Sequence, residues 1–333
     1  MSNSNTTFSC IPLINTKSQQ VVQTTTVKDL EIAGFLLDDK NKSHRQSIDN
    51  TTKTSTSLMM ASAMEHPDIF TQTRLLFDRE LKKLVRDKFS FVVRVVSNLV
   101  FGLLFGLIFK DVGRSDYVAY PEVMASFGAQ SNLLISTMFG VAQSSLMEFP
   151  KDRPVFLREY STNHYSVVPY FLSKFTIECF TVLIQVLSQL IAAFFLMGFR
   201  TNFFAFMALN FALAMASTSI GIFIGSCVQD PSVAAELMPA LIVPQLLFSG
   251  FFIQTNLIPD FLVWAQYLCS LVYATRLANS YEFGDCDTES CRSLLENNEV
   301  YQLEQYWYWI ILLGIAAVFR IAATVILKGK ANF

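Results

Sequence analysis

The sequence predicts an all-α protein that crosses a lipid bilayer six times, and two observations carry this prediction. Hydrophobic residues make up 52% of the 333-residue chain and charged residues only 16%, whereas soluble domains carry about a quarter charged residues. The charges are also segregated, being dense in short segments and almost absent from the long apolar runs between them. A helix needs a run of roughly 20 apolar residues to cross a bilayer.

Six apolar runs are each predicted to form one transmembrane helix. They cover about residues 89–109, 124–146, 175–198, 203–228, 232–254 and 306–327. The fifth run contains Pro239 and Pro244, which favour kinks in a membrane helix. The long loop after this run is aromatic but interrupted by polar residues. We therefore predict an interfacial or re-entrant helix pair there, and no seventh crossing.

The segment before the first run, residues 71–88, is predicted to be an amphipathic helix. Its apolar residues can form one stripe, and arginine and lysine occupy most other positions (the stripe is Leu75, Leu76, Leu81, Leu84 and Val85). A basic amphipathic helix beside the point where a chain enters the membrane is typical of a helix lying in the interface. A soluble surface helix is the alternative interpretation. Residues 1–65 are polar without a sustained apolar period, which predicts a disordered leader, followed by the membrane domain at 66–333.

Lysine and arginine near the helix ends predict the orientation. They cluster before the first run, between the second and third runs, and after the sixth (Arg74, Arg79, Lys82, Lys83, Arg86, Lys88; Lys151, Arg153, Arg158, Lys174; Lys328, Lys330). These regions lie on one side of a six-span chain, so both termini are predicted to be cytosolic. Cys286 and Cys291 would then face an oxidising exterior or lumen, where cysteines can form a disulfide.

Several kinds of site have no signature in the sequence. No GxxxxGK[ST] phosphate-binding loop occurs, so the chain is predicted to be no enzyme and to bind no cofactor itself. No CxxC motif or Cys/His cluster indicates a metal site. A net charge of −2 without a basic run gives no indication of a nucleic-acid partner.

The charged segment from Glu148 to Lys174 is the first candidate functional region. Pro150 is predicted to end the second transmembrane helix, because proline cannot continue the helical hydrogen bonds. Pro154 is predicted to start a short helix that bears Phe156, Arg158, Glu159 and Tyr160. A short helix with apolar and charged side chains at the membrane surface is suited to docking another domain. A loop cap with internally satisfied ion pairs is the alternative. Charged groups near helix ends, Glu178 among them, have either a pairing role or a role in gating or relay.

These features together resemble the transmembrane domain of the ABC transporter G subfamily, of the White or pleiotropic drug resistance type. The resemblance rests on the basic helix, the segment RPVFLREYSTNHYSVVPYFLSK, and FSGFFI followed by IP, Trp264, Tyr267, Tyr273 and Glu282-Phe283. It covers about residues 70–333. It implies a type 2 ABC exporter fold that works as a dimer around a substrate cavity.

The resemblance also implies roles for individual residues. The helix at 71–88 would be the connecting helix. The stretch with Phe156, Arg158, Glu159 and Tyr160 would be the coupling helix that contacts the ATPase. Other implied roles are an apolar plug at Phe251 and Phe252, cavity lining at Phe139 and Phe248, a polar relay through Glu148 and Glu178, and bridges of Cys286 and Cys291 within or between subunits.

The subfamily carries its nucleotide-binding domain before the spans, and the sequence has no such domain. The ATPase, with its ATP and Mg²⁺, is therefore expected on a partner chain, or the sequence is a fragment. The leading hypothesis is a subunit of an exporter for lipids, sterols or other hydrophobic compounds in the plasma membrane or an endomembrane, working as a homo- or heterodimer. A non-transporting partner that regulates a complete transporter is the second hypothesis. An ATP-independent channel or carrier is disfavoured, because no charged pore ring appears.

Overall fold

The computed structural model describes residues 69–161, 167–228 and 230–331, and the predicted leader at 1–65 lies outside them. The described residues form α-helices joined by turns and short 3-10 segments, without a strand among them. In chain order the helices are α1 Ile69–Arg86, α2 Lys88–Ile108, α3 Tyr120–Ser161, α4 Val167–Met197, α5 Phe203–Cys227, α6 Pro231–Phe248, α7 Val263–Gln266, α8 Ser270–Phe283, α9 Glu289–Asn297 and α10 Gln305–Ala331. This confirms the predicted all-α class.

Each predicted apolar run contributes one long helix. Among the described residues, α2, α4, α5 and α10 are long and apolar enough to cross a membrane. The other two long helices differ for physical reasons: α3 combines an apolar half with a charged half, and the apolar part of α6 is short. Four of the six crossings are therefore supported by length and composition, and the other two stay predictions.

The second predicted span and the separate coupling helix are one continuous helix, α3, and here the prediction was wrong. Both Pro150 and Pro154 lie inside α3, which runs from Tyr120 to Ser161. Proline in a helix interior costs about 3 kcal/mol, so other contacts must offset it. Phe149 and Phe156 are almost completely buried at this point. Tertiary packing thus overrides the local tendency of proline to end a helix.

The fifth predicted span, 232–254, is also shorter than predicted. Helix α6 ends at Phe248, and Gly250 follows with a φ of 84°. A φ in the left-handed region suits glycine, which has no Cβ to clash. A Cβ at Gly250 would lie 2.6 Å from the side-chain oxygen of Asn298. The chain therefore turns sharply at Gly250 and leaves the helix before Phe251.

The interior of the bundle is built around α5, whose side chains are mostly buried between α3 and α10. Glycines bring the backbones close at two of the packed interfaces. A Cβ at Gly102 of α2 would lie 2.3 Å from the backbone oxygen of Gln189 in α4, and a Cβ at Gly221 of α5 would lie 3.0 Å from that of Ala142 in α3. Both glycine positions thus serve packing within the chain.

Helix α1 lies against the beginning of α4 and buries few of its residues. Of the predicted apolar stripe, Leu76 is buried, whereas Leu75 and Val85 are 64% and 54% exposed. Apolar groups left exposed on a basic helix are what an interfacial position requires. We refer below to the end of the bundle that carries α1 as the α1 end, and to the end that carries α7 to α9 as the loop end.

Candidate transport path and coupling region

A groove of about 930 Å³ lies between α2, α3 and α6, with the last turn of α1 at one end. Its wall is mainly apolar and aromatic (Phe101, Phe105, Ile135, Phe139, Pro239, Ile242, Val243 and Leu246 among others). Phe139, a predicted cavity residue, lies in this wall and is 44% exposed. Phe248, the other predicted cavity residue, is half-buried near the end of α6 and is not among the lining residues.

At the α1 end of the groove, an ion pair joins two walls. Arg94 of α2 donates a hydrogen bond to Glu148 of α3 at 3.0 Å. A smaller cavity of about 80 Å³ lies behind this pair and is lined by both residues together with Lys174 and Glu178 of α4. The two predicted relay residues, Glu148 and Glu178, therefore border the same small cavity, each with its own cationic partner.

The partner of Glu178 is Arg320 of α10, at 2.8 Å. Ser145 of α3 also donates to Glu178, at 3.4 Å. The guanidinium of Arg320 lies 4.7 Å from the ring centre of Phe175 and contacts the hydroxyl groups of Thr218 and Ser219. Sequence reasoning missed Arg320, although it is the one charged residue within the predicted span 306–327. A charge at that depth is expensive unless paired, and this was the available signal.

Asp152 is the hub of the charged half of α3. Its two carboxylate oxygens accept hydrogen bonds from Lys83 of α1 and Lys174 of α4, each at 2.5 Å. Burial alone would raise the pKa of Asp152, but the two ammonium groups outweigh it and hold the pKa below 3.8, its usual value. Asp152 therefore ties three helices together as a carboxylate. No pattern in the sequence singled it out.

Two further contacts hold the same part of α3. Arg153 is buried and donates to the backbone oxygen of Val228, just after α5, at 2.9 Å. Glu159 accepts from Arg79 of α1 at 2.6 Å. These contacts and the Asp152 hub connect the charged half of α3 to α1, α4 and α5.

The predicted coupling residues do not share one environment. Phe156 is buried against Tyr170 of α4, with ring centres 4.5 Å apart. Arg158 is exposed, and Glu159 is half-buried through its contact with Arg79. Tyr160 belongs to α3, and its side chain lies outside the described part of the structure. Among the side chains of this set that the structure describes, Arg158 is thus the exposed one, whereas Phe156 holds α3 in place.

At the loop end, the two predicted plug residues also differ. Phe251 is half-buried and packs on Phe127 of α3, with ring centres 6.2 Å apart. Phe252 is 62% exposed and lies edge-to-face on Phe251, 4.9 Å between centres. The pair therefore extends outward to the protein surface from the buried apolar side chains of the loop end, to which Phe127 belongs.

The loop end is held together by one buried carboxylate. Glu282 of α8 accepts hydrogen bonds from the hydroxyl groups of Tyr117 and Thr201, both at 2.6 Å, and from the backbone N–H groups of Arg200 and Thr201, at 3.1 and 3.0 Å. Burial and the neighbouring carboxylate raise the pKa of the Tyr117 phenol. Glu282 thus joins α8 to the α2–α3 loop and the α4–α5 turn.

A disulfide connects Cys286 and Cys291 within the chain. Cys291 is completely buried in the apolar cluster of the loop end. The neighbouring Thr288 donates to the backbone oxygen of Tyr117 at 3.0 Å. The bridge lies beside the Glu282 network and belongs to the same end of the bundle.

Comparison with known proteins decides the family. Residues 71–283 match the family model described as ABC-2 type transporter. The chain belongs to this family. The match starts within α1 and ends with α8, so the three groove helices, the Asp152 hub and the Glu282 network all lie inside the ABC-2 membrane domain. The disulfide and α10, with Arg320, come after the matched residues.

Relatives of this ABC-2 domain are proteins named for the G family and for White. The chain is 25% identical over 311 residues to ABC transporter G family member 1 of Dictyostelium discoideum, covering 86% of the chain and 38% of that protein. It is 30% identical over 229 residues to Protein white of Drosophila melanogaster, covering 67% and 33%. It is 27% identical over 198 residues to ABC transporter G family member 5 of Oryza sativa subsp. japonica, covering 59% and 24%. The chain thus spans 24–38% of the length of these relatives.

Proposed function

We propose that this chain is the transmembrane part of an ATP-driven exporter of lipids, sterols or other hydrophobic compounds. It works as a homo- or heterodimer in the plasma membrane or an endomembrane, with the α1 end and both termini in the cytosol. A nucleotide-binding domain outside residues 1–333 binds ATP and Mg²⁺ and drives it. The observation that carries the proposal is the apolar groove of about 930 Å³, which lies in an ABC-2 domain.

The groove is suited to a hydrophobic molecule that comes from the cytosolic leaflet. Its walls are aromatic and aliphatic side chains on three helices, the environment in which apolar ligands lose contact with water. On α6, Val243 borders the groove and is 48% exposed, and Leu247, one turn further on, is 40% exposed. A second transporter half packed against α6 would cover these side chains and close the groove.

The continuous helix α3 supplies the coupling. It forms one wall of the groove at Phe139 and carries the exposed Arg158 at its α1 end. The two residues lie roughly 28 Å apart along the helix, at 1.5 Å per residue. A force applied by a nucleotide-binding domain near Arg158 is therefore transmitted to the groove by the helix itself.

The substitution Arg158→Ala tests this coupling. We expect it to reduce ATP-dependent export of a fluorescent sterol by about tenfold or more, the loss that follows from removing a contact worth about 1.4 kcal/mol, and to leave dimerisation intact. Export is measured in vesicles that contain the chain and its nucleotide-binding partner. Dimerisation is measured by crosslinking in the same vesicles.

Arg292→Ala is the matched control, because Arg292 is equally exposed but lies on α9 at the loop end. It should export at the normal rate. Normal export by Arg158→Ala would remove Arg158 from the coupling site.

A regulator that dimerises with a complete transporter but exports nothing is the alternative function. The exposed arginine on an otherwise well-anchored α3 is compatible with it, because an inhibitory partner also has to dock. Crosslinked pull-down from native membranes separates the two. Export by complexes of this chain with a nucleotide-binding partner supports the first function, and inhibition of a complete relative without export supports the second.

The plug at the loop end makes a separate prediction. In Phe251→Ala plus Phe252→Ala, the packing of Phe251 on Phe127 is lost, and the apolar barrier at the loop end should weaken. We expect basal leak of substrate without ATP to rise about threefold or more, as loss of one aromatic contact of about 0.5–1.5 kcal/mol implies. Phe261→Ala, an exposed aromatic residue elsewhere in the same loop, is the control. Unaltered leak in the double variant would exclude these residues from the gate.

A further inference from the structure

The groove wall changes character along α2 in a fixed order. Arg94 lies at the α1 end, Ser97 and Asn98 follow one turn later, and Phe101 and Phe105 come after them. The successive turns are thus charged, neutral polar and aromatic. At 1.5 Å per residue, the distance from Ser97 to Phe105 is about 12 Å along the helix.

Helix α3 runs antiparallel to α2 and shows the same order at the same end. Glu148, paired with Arg94, is the charged layer, Gln143 and Ser144 form the neutral polar layer, and Phe139 is the aromatic layer. The third wall, α6, adds apolar residues to the groove (Pro239, Ile242, Val243 and Leu246). Two unconnected stretches of sequence therefore produce the same three layers at matching depth.

The charged layer is electrically balanced. Three basic and three acidic residues line the α1 end of the groove (Lys83, Arg94 and Lys151; Asp87, Glu148 and Asp152). Arg94 pairs with Glu148 and Lys83 pairs with Asp152, while Asp87 caps α2 by accepting from Ser90. The layer as a whole carries no net charge, and Lys151 is its exposed cation without an ion pair among the described residues.

The neutral layer, in contrast, offers unused hydrogen-bonding groups. Ser97 and Gln143 are exposed to the groove and make no side-chain hydrogen bond within the described part of the chain. Asn132 and Ser136, nearer the loop end, are already bonded, to the backbone oxygen of Gly128 and to Gln189 respectively. The unsatisfied donors and acceptors are thus concentrated between the ion pair and the aromatic layer.

We infer that the groove selects an uncharged amphiphile, with a hydrogen-bonding head between Ser97 and Gln143 and an apolar tail along Phe101, Phe105 and Phe139. This inference rests on the proposed export function and narrows its substrate class. A neutral head satisfies groups that apolar surroundings would otherwise leave unpaired. A permanent charge at the depth of Ser97 and Gln143 loses its hydration away from the ionised side chains of the charged layer, which is costly.

Competition among three amphiphiles with the same chain tests the selectivity. The probe is a hexadecanol that carries a diazirine on its tail, and the competitors are hexadecanol, hexadecyl sulfate and hexadecyltrimethylammonium, whose charges do not depend on pH. The full chain is placed in zwitterionic nanodiscs without ATP, with each competitor given as a mole fraction of the bilayer. Labelled peptides are then quantified by mass spectrometry. We expect labelling in the groove helices, and displacement by hexadecanol about tenfold more effective than by either ion.

Charge variants of the Arg94–Glu148 pair sharpen the test. In Glu148→Gln the unpaired Arg94 should improve competition by hexadecyl sulfate about three- to tenfold, and in Arg94→Gln the unpaired Glu148 should favour the cationic competitor by a similar factor. Lys82→Gln is the control. This substitution also removes one positive charge, but Lys82 lies outside the groove lining and pairs with Asp78. It should change neither preference.

A second variant keeps the inference testable if the pair is needed for folding. In the native chain, hexadecanol should compete better than hexadecane, which lacks the hydroxyl head. Ser97→Ala plus Gln143→Leu should abolish this difference. Equal competition by all three amphiphiles, or a preference for a charged one in the native chain, overturns the neutral-head inference alone. Labelling that no amphiphile displaces overturns the proposed function of the groove as well.

Discussion

Replacing Asp152 by Asn should destabilise the protein by about 3 kcal/mol, the lower limit for breaking a buried ion pair. Asp152 and Lys174 are 17% and 16% exposed in their side chains, and the carboxylate also holds Lys83 of α1. The neutral amide leaves the ammonium of Lys174 with little compensation beside the ring of Phe149. The loss is measured by heating the detergent-purified chain and determining the fraction that still elutes as a monodisperse peak.

Asp78→Asn is the matched control for this prediction. Asp78 also pairs with a lysine, Lys82, but the two side chains are 56% and 76% exposed. Exposed pairs of this kind contribute about 0–0.5 kcal/mol, so the control should unfold like the native chain. Equal losses in the two variants would contradict the assignment of Asp152 as the hub.

The pH dependence of the stability that Asp152 contributes follows from the lowered pKa of its carboxyl group. Because the folded pKa lies below the usual 3.8, the unfolded chain takes up the proton first as the pH falls. The stabilisation by Asp152 is therefore complete at neutral pH and is lost below about 3.8, as the pH falls through the folded pKa. The stability difference between native chain and Asp152→Asn should narrow over that acidic range and stay constant at higher pH.

Glu282→Ala should be the most damaging single change at the loop end. Four donors converge on this carboxylate, and Tyr117 is fully buried beside it. Each buried donor left without a partner costs about 1–3 kcal/mol. Water can replace the carboxylate as acceptor for only some of these four donors. We expect a loss of at least about 3 kcal/mol, seen as a lower yield of the folded, detergent-purified chain and as failure to form the native disulfide.

Asp285→Ala provides the comparison, because Asp285 is exposed three residues further along the chain. It should leave both the disulfide and the yield of folded chain unchanged. Glu282→Gln keeps an acceptor oxygen and should fall between these two variants. Native yield of Glu282→Ala would show that the α8 anchor is dispensable.

The sequence predicted the long helices because hydrophobic length and charge segregation are local properties. The runs at 89–109, 203–228 and 306–327 agree with helices Lys88–Ile108, Phe203–Cys227 and Gln305–Ala331 to within a few residues. The third run starts at 175, but its helix begins at Val167, because Val167, Tyr170 and Phe171 are buried against the rest of the bundle and extend the helix before Lys174.

The errors came from residues whose role depends on distant partners. Pro150 and Pro154 are local signals for a break, but Phe156 packs on Tyr170 and Asp152 pairs with lysines on two other helices, and neither contact is visible from spacing. The assignment of Phe248 to the cavity comes from the family resemblance and stays a prediction; the structure places it near the end of α6, outside the groove lining described above.

The ion pair of Arg320 was predictable only in part. Its presence within an apolar span indicated a partner at membrane depth, but several acidic residues were available. The choice of Glu178, 142 positions earlier in the chain, depends on how α10 packs beside α4. Sequence could therefore predict that such a pair exists and not which residues form it.

The two prolines in the middle of α3 have a mechanical consequence. Because proline has no N–H group, the carbonyl oxygens of Leu146 and Pro150 lack their ordinary partners four residues later. The stretch of α3 around the two prolines, directly beside Glu148, thus has two fewer helical hydrogen bonds than an uninterrupted helix. If α3 couples a nucleotide-binding domain to the groove as proposed, bending at this stretch would move the aromatic wall while the helix segments on either side stay straight.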